Sequence, residues 1–210
     1  MRMRNKPWAI PELKENKLIF FDPVDKNGTW QEEFGNNNPI HLEIGAGWGK
    51  FSLTKATNNK DINYVAMEME SNVFVYAGRD FLASKLTNIR GIRGLAQQLD
   101  QFFDQGEIEK IYLNFSNPWP ANRHKKRRLT HPRQLETYKK ILKESGIIEL
   151  KSDDRDFFNE SIDYLKESGF EILEIDNNLP FDKPGNIVTE YEAKWRKMGK
   201  PINFLKARLK

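Results

Sequence analysis

The sequence predicts an α/β protein with a doubly wound, mainly parallel sheet of seven strands. Short apolar runs alternate with longer stretches of helical periodicity, which is the pattern of consecutive βαβ units. The first of these runs leads into a glycine-rich turn, "GAGWG", and several later junctions carry Gly or Pro, which commonly end strands and helices. We expect an antiparallel hairpin at the end of the chain.

In the first half of the chain, each strand is predicted from a short apolar run that is followed by a longer helical pattern. The predicted strands are "IHLEIG" (40–45), "NYVAME" (63–68) and "IRGIRG" (89–94), and the helices that follow them span 49–58, 71–85 and 96–104.

The second half continues the alternation. Pro132 suits a first helical turn, and Gly146 and Gly169 stand where glycine commonly ends a helix. The predicted strands are "KIYLNFS" (110–116), "IIELKSD" (147–153), "FEILEID" (170–176) and "INFLKARL" (202–209), with helices at 132–145, 155–168 and 189–198.

The totals indicate one soluble domain. The 210 residues are 38% hydrophobic and 12% aromatic, which is enough to bury one substantial core, and the composition does not change along the chain. We therefore expect a single domain over 1–210, with 1–36 as an N-terminal arm. No window approaches the roughly 18 apolar residues of a membrane span, so we expect a cytoplasmic protein that does not bind membranes.

The chain contains no cysteine and three scattered histidines. This composition excludes disulfides, zinc-thiolate sites and thiol nucleophiles, and it leaves few ligands for a transition metal. We expect no metal cofactor.

Positive charge is concentrated in two places. Arg2, Arg4 and Lys6 lie in the N-terminal arm, and a run of cations spans 123–128. Such a run is often an ordinary solvated surface, but it is also the electrostatic pattern of a nucleic-acid partner.

Ligands of doubly wound sheets bind at the carboxyl ends of the strands, so the residues there are the candidate site. After the first strand, glycines in a G-x-G-x-G turn allow positive φ and close approach of a ligand, although Lys50 stands where a dinucleotide fingerprint needs glycine. Glu68 ends the second strand, where an acid accepts hydrogen bonds from ribose hydroxyls. With Glu43, these residues suit S-adenosylmethionine, a cation, and resemble a Rossmann-like class I methyltransferase. The cofactor candidates at these two strand ends are Glu43, Gly45, Gly47, Gly49 and Glu68.

The third strand ends near Leu95 and Ala96, where that superfamily often places an acid or amide against adenine. The side chain of Leu95 cannot make this hydrogen bond. The backbone of Ala96 or the side chain of Gln97 is then the candidate contact.

The fourth strand runs into "NPWP". Proline after Asn117 prevents ladder pairing and favours an extended turn, which presents Asn117 and Trp119 at the edge of the sheet. An aromatic ring beside an amide suits the stacking and hydrogen bonding of an extruded base, and the cations that follow suit its phosphates.

The segment "LNFSNPWPANRHKKRRLT" resembles the signature of the bacterial tRNA (guanine-N7-)-methyltransferase family, and the resemblance covers nearly the whole chain. Further matching segments occur in the family's order: "RMRNKPW", "FGNNNPIHLEIGAGWGKF", "GEIEKIYLNFS", "ELKSDDRDFF" and "GNIVTEYEAKW". The resemblance implies transfer of a methyl group from S-adenosylmethionine to a guanine N7 in the variable loop of tRNA, with S-adenosylhomocysteine as product, by a monomer or homodimer.

The resemblance also implies a role for each matched position. Asn117 takes the catalytic position and joins the cofactor contacts with Leu95 and Ala96. The substrate contacts would be Ala121, Asp153, Thr189, Glu190, Tyr191 and Glu192, and the RNA contacts Arg123, His124, Lys125, Lys126, Arg127 and Arg128.

Three positions depart from the family pattern. Asn117 replaces the usual Asp of the "DPWP" turn, Ala121 replaces a common lysine, and Leu95 replaces a polar cofactor contact. Guanine N7 has an available lone pair and loses no proton on methylation, so the reaction needs alignment rather than a general base. The lost carboxylate would slow the reaction by on the order of 10²–10³ rather than abolish it.

Two other functions are compatible with these residues. "NPWP" also resembles the turn of amino-group methyltransferases that act on adenine or cytosine. A non-catalytic tRNA-binding protein would keep the basic run while its catalytic turn diverged.

Overall fold

The computed structural model of this protein describes residues 5–210. Its residues group into two compact units, the first ending at Asp104 and the second beginning at Gln105. The prediction of a single domain stays a prediction.

The first unit contains four mutually parallel strands among its described residues, in the order β1-β4-β3-β2. Two short 3₁₀ segments, Val24–Lys26 and Ala96–Gln98, interrupt its loops. Its helices and strands are α1 (Ala9–Glu15), β1 (Ile19–Phe21), α2 (Trp30–Phe34), β2 (Ile40–Ile44), α3 (Lys50–Asn58), β3 (Asn63–Glu68), α4 (Ser71–Ser84), β4 (Ile89–Arg93) and α5 (Leu99–Phe102).

The core of this unit forms around the central strands. All five residues of β2 are buried, as expected for a parallel strand that is covered on both faces. Trp30 is fully buried, stacks on Phe103 with ring centroids 5.3 Å apart, and donates its indole N–H to the carbonyl of Phe102 at 2.8 Å. The core thereby includes part of the segment that we expected to be an arm.

The segment 1–36 is more structured than predicted, since its described part contains α1, β1 and α2. Strand β1 brings the described strands to eight instead of seven. Its three residues are too few to show an alternating pattern, and Ile19 fits beside β4 because Gly91 has no Cβ to collide with it. The predicted helix at 96–104 is also shorter, beginning as a 3₁₀ turn and continuing as α5.

The second unit contains four strands in the order β5-β6-β8-β7. Strand β5 is parallel to β6, and the pairs β6 with β8 and β7 with β8 are antiparallel, which confirms the antiparallel end of the chain. A 3₁₀ turn spans Asn122–Arg127. Its other elements are β5 (Ile108–Asn114), α6 (Pro132–Ile141), β6 (Leu142–Ser152), α7 (Arg155–Glu167), β7 (Phe170–Asp176), α8 (Glu190–Lys197) and β8 (Asn203–Leu209).

Local capping explains most helix ends in this unit. Pro132 is the first residue of α6, as predicted, and Asp154 caps α7 by accepting the N–H of Phe157 at 2.8 Å. Gly169 follows α7 with φ of 87°. The prediction for Gly146 was wrong, because α6 ends at Ile141 and the next residue, Leu142, already pairs with Ile108 of β5.

A buried ion pair holds α8 to β6. The ammonium of Lys151 lies 2.9 Å from one oxygen of Glu192, whose side chain is fully buried. The other oxygen of Glu192 accepts from Arg196 at 2.8 Å and from Asn186 at 3.1 Å. Burial lowers the pKa of Lys151, and Glu192 opposes that shift.

We predict that Glu192→Gln destabilises the second unit. The substitution leaves the ammonium of Lys151 buried without a counter-charge, which costs about 3–5 kcal/mol in comparable cases. Urea unfolding followed by circular dichroism measures the loss. The matched control is the double variant Lys151→Met/Glu192→Leu, which removes both charges and should be less destabilised than Glu192→Gln. A single variant as stable as the unaltered protein contradicts the prediction.

Candidate active site

The glycine turn after β2 has the conformation that the sequence predicts. Gly45, Gly47 and Gly49 have φ of 80°, 55° and 69°. The N–H groups of Gly45 and Ala46 both donate to the carbonyl of Met67 at 2.9 Å, so the turn is fixed to the end of β3.

These glycines serve different purposes. A Cβ on Gly49 would lie 2.7 Å from both Ala77 and Phe81 of α4, so this glycine allows close packing of the helix. A Cβ on Gly45 or Gly47 would meet nothing within 4 Å. The first two glycines therefore leave open space beside the turn, as a bound ligand requires.

Glu68 binds the backbone of the glycine turn and the backbone of the segment that follows β3. One of its oxygens accepts the N–H of Gly47 at 3.0 Å, and the other accepts from Met69 at 2.8 Å and Glu70 at 2.9 Å. A carboxylate has about four acceptor positions, so these bonds leave about one for a ligand hydroxyl. Contact with both ribose hydroxyls would require one of the N–H bonds to lengthen.

The remaining cofactor candidates of the first unit differ in exposure. Glu43 is buried and accepts the hydroxyl of Ser52 at 2.6 Å. Leu95 is exposed and directly precedes the 3₁₀ turn that begins at Ala96. Its carbonyl accepts the N–H of Gln98 at 2.9 Å, which fixes the backbone after β4.

Sequence reasoning missed an aromatic cluster beside the glycine turn. Trp48, within the turn, stacks on Tyr76 of α4 with centroids 5.1 Å apart and planes at 14°. Lys6 donates to the hydroxyl of Tyr76 at 3.0 Å and lies 4.3 Å from its ring centre. The signal was Trp48 itself, a large aromatic between two glycines. Arg2 and Arg4 of the same arm lie outside the described residues.

In the second unit, the turn after β5 is held in unusual backbone conformations. Phe115 and Trp119 have φ of 52° and 42°, values that L residues seldom adopt. Asn117 is exposed, and its side-chain oxygen accepts the N–H of Trp119 at 2.9 Å. This bond fixes the amide group within the turn. Strand β5 ends at Asn114, earlier than the predicted strand 110–116, so Asn117 follows the strand end instead of adjoining it.

The basic run divides by exposure. Arg123, Lys126 and Arg127 are exposed, whereas His124 and Lys125 are half-buried. Lys125 binds Glu160 of α7 at 2.8 Å, and the guanidinium of Arg127 lies 5.1 Å from the ring centre of Trp119. Arg128 is only 4% exposed and donates to protein groups.

The other substrate candidates lie around the ends of β6 and α8. Asp153 follows β6 and binds Lys200 at 3.2 Å, and Ala121 is exposed at the start of the 3₁₀ turn. Thr189 caps α8 by accepting the N–H of Glu192 at 3.1 Å. Tyr191 is 57% exposed and stacks on Phe115 with centroids 6.4 Å apart.

Within the segment 189–192, some side chains therefore face solvent and others face the protein core. Glu190 and Tyr191 are exposed, whereas Glu192 is enclosed by Lys151 and Arg196. The sequence pattern alone did not separate these two groups, because helix orientation decides which residue faces the core.

Within the described residues, 5–210, no group of three or more His, Asp or Glu side chains is arranged to hold a metal ion. None of the helices in the same part of the chain has the length and apolar character needed to cross a membrane.

We predict that Gly49→Ala mainly lowers the stability of the protein, whereas Gly47→Ala mainly weakens ligand binding. Both substitutions place a Cβ at positive φ, which costs about 1–2 kcal/mol. At Gly49 the contact with α4 adds overpacking of about 1–3 kcal/mol, so Gly49→Ala should unfold at lower urea. Gly47→Ala should instead weaken binding of S-adenosylhomocysteine, measured by calorimetry. Equal losses of stability, or unchanged affinity in Gly47→Ala, would contradict this assignment.

Comparison with known proteins identifies related chains. Residues 37–205 match a family model described as a putative methyltransferase. The chain is 46% identical over 211 residues to a tRNA (guanine-N(7)-)-methyltransferase of Clostridium tetani, and 45% identical over 213 residues to one of Clostridium acetobutylicum. Both alignments cover 100% of each chain.

Solved structures confirm the fold class. An antibiotic-related methyltransferase matches with a TM-score of 0.65 at 17% identity, covering 86% of this chain and 92% of that one. A 16S rRNA methyltransferase matches with a TM-score of 0.65 at 12% identity, covering 87% and 93%. The predicted α/β, Rossmann-like methyltransferase fold with a mostly parallel sheet is therefore confirmed.

The family model covers most of the chain, and the named relatives align with all of it at more than 40% identity. The resemblance seen in the sequence motifs is confirmed. This chain belongs to the tRNA (guanine-N(7)-)-methyltransferase family of S-adenosylmethionine-dependent enzymes.

Proposed function

We propose that this chain transfers the methyl group of S-adenosylmethionine to N7 of a guanine in the variable loop of tRNA. The observation that carries the proposal is the turn after β5, where a hydrogen bond fixes Asn117 to Trp119 and exposed cations follow. Full-length similarity to relatives named for this reaction supports the choice of guanine over an amino-group substrate.

The first unit is proposed to hold the cofactor. The open space at Gly45 and Gly47 and the remaining acceptor position of Glu68 suit the ribose. Glu43 adds negative charge for a cationic ligand, and the backbone at Leu95 and Ala96 is the candidate adenine contact. The cofactor would supply an electrophilic methyl group.

The second unit is proposed to orient the guanine. N7 attacks through its own lone pair, so the protein has to align the base and stabilise positive charge on the purine rather than remove a proton. Asn117 is the proposed catalytic contact, since its amide is fixed by the bond from Trp119 and its side chain is exposed. Asp153 and Tyr191 are the proposed substrate contacts on neighbouring elements.

Other members of the predicted substrate set act less directly in this proposal. Thr189 and Glu192 orient α8 through its cap and its buried ion pair, and this orientation sets the position of Tyr191. Ala121 stands where family members commonly carry lysine, and its methyl side chain supplies no charge.

The function is tested by incubating the protein with unmodified tRNA and labelled S-adenosylmethionine, followed by nucleoside analysis. We expect label in 7-methylguanosine, with and without EDTA, since the proposed site uses no metal. Label in an exocyclic amine would favour an amino-group methyltransferase, and binding without transfer would favour a tRNA-binding protein. Light scattering on the same sample distinguishes a monomer from a homodimer, and cell fractionation tests the proposed cytoplasmic location.

We predict that Asn117→Asp increases the single-turnover rate by on the order of 10², with little change in tRNA affinity. Aspartate keeps the oxygen that accepts the N–H of Trp119 and adds negative charge opposite the charge formed on the purine. The matched control is Asn122→Asp, which adds the same charge at an exposed position in the following turn and should leave the rate unchanged. Equal rate changes in both variants would contradict a specific role for position 117.

We predict that the exposed cations Arg123, Lys126 and Arg127 bind tRNA phosphates. Replacing all three with glutamine should weaken binding and reduce the slope of log K against log salt by roughly 2 units, because fewer counterions are released. The affinity for S-adenosylhomocysteine should not change. Lys166→Gln, at an exposed position of α7, is the single-charge control. An unchanged slope in the triple variant would identify the run as an ordinary solvated surface.

A further inference from the structure

Arg128 differs from the other cations of its run in burial. Only 3% of its side chain is exposed, and the guanidinium lies 5.5 Å from the ring centre of Phe157. A phosphate contact requires an accessible cation, so its position is poorly suited to direct binding of RNA.

The donors of Arg128 are directed at the turn that carries Asn117. Its Nε donates to the carbonyl of Pro118 at 2.6 Å, and Nη2 lies 3.4 Å from the carbonyl of Trp119. These carbonyls belong to residues that follow the end of β5, where the strand ladder no longer supplies partners. The planar guanidinium holds its N–H donors in a fixed fork, so that Nε and Nη2 face the two carbonyls while Nη1 faces Glu160.

Glu160 of α7 fixes the other side of the guanidinium. One oxygen of Glu160 accepts from Nη1 of Arg128, and the other accepts from Lys125 at 2.8 Å. The hydroxyl of Tyr164 also lies 3.4 Å from Glu160. The bond from Lys125, above all, lowers the pKa of Glu160, so the carboxylate remains ionised at neutral pH.

The turn has particular need of such support. Phe115 and Trp119 have positive φ, a conformation that persists only where surrounding contacts enforce it. The bond from the Trp119 N–H to Asn117 fixes the turn internally, but it does not attach the turn to a neighbouring helix. The Arg128–Glu160 pair makes that attachment to α7.

We infer that Arg128 is a positioning residue for methyl transfer, which holds the Asn117–Trp119 turn against α7 through Glu160, and that it is not a phosphate contact. This inference rests on the proposed function in so far as Asn117 is the group being positioned. It assigns opposite roles to neighbours in one basic run: the exposed cations bind RNA, and the buried one fixes the turn.

The test compares Arg128→Lys and Glu160→Gln with the unaltered protein. Lysine keeps the charge of Arg128 but loses the fork geometry, whereas Glu160→Gln removes the negative charge and one of the two acceptor oxygens that hold the guanidinium and Lys125, without removing a cation. We expect each variant to lower kcat by about 10–100-fold, because misplacement of a catalytic group by about 1 Å has an effect of that size. The KM for tRNA should stay within about threefold, since no phosphate contact is lost.

Arg133→Lys is the matched control. It makes the same chemical change at an exposed position of α6, and both kinetic constants should equal those of the unaltered protein. Hydrogen exchange gives a readout that does not depend on activity. In Arg128→Lys, exchange across 115–121 should accelerate at least about tenfold, while exchange across 147–152 of β6 should not change.

Two kinetic results would overturn the inference. A rise in the KM for tRNA at unchanged kcat in Arg128→Lys would identify Arg128 as an RNA contact. If kcat and the KM for tRNA in Arg128→Lys and in Glu160→Gln both equal those of Arg133→Lys, the pair does not support transfer. If the unaltered protein forms no 7-methylguanosine, the proposed function fails, and exchange across 115–121 alone then decides whether Arg128 holds the turn.

Discussion

A strand that ends in an irregular turn leaves backbone N–H and C=O groups without ladder partners, and in both units a charged side chain binds them. Glu68 accepts three backbone N–H groups around the glycine turn of the first unit. Arg128 donates toward two backbone carbonyls of the turn after β5 in the second. Unpaired backbone groups are costly when buried, so these residues allow irregular turns where a ligand needs access.

The sign of each charge follows from the backbone groups that it binds. A turn that presents N–H groups requires an acceptor, and a carboxylate can accept several bonds while leaving capacity for a ligand hydroxyl. A turn that presents carbonyls requires several N–H donors at fixed positions, which the rigid fork of arginine supplies, whereas the three donors of lysine share one nitrogen. Glu68 and Arg128 can therefore both be important to the reaction, although only Glu68 is proposed to contact a ligand.

Pairing with a carboxylate also separates the cations that hold the fold from the exposed cations that remain available to bind RNA. Lys151 is enclosed with Glu192, and Arg128 and Lys125 share Glu160, so each of these cations is paired with a carboxylate of the second unit. Arg123, Lys126 and Arg127 are exposed in the same stretch of sequence. Counting the basic residues of the run therefore overestimates the charge that is available to RNA.

The sequence by itself determined the fold class, the family and most strand positions, because periodicity and glycine or proline signals are local. It also located Glu68 at the end of β3 and Asn117 in the turn after β5, since a proline or a turn limits where a strand can continue. It missed β1, whose three residues pair only because Gly91 leaves room for Ile19. Tertiary structure alone decided that Arg128 and Glu192 are buried whereas Arg127 and Tyr191 are exposed. Neighbours in a sequence can face opposite directions on a turn or helix, and only the packing of distant elements fixes which of them meets solvent.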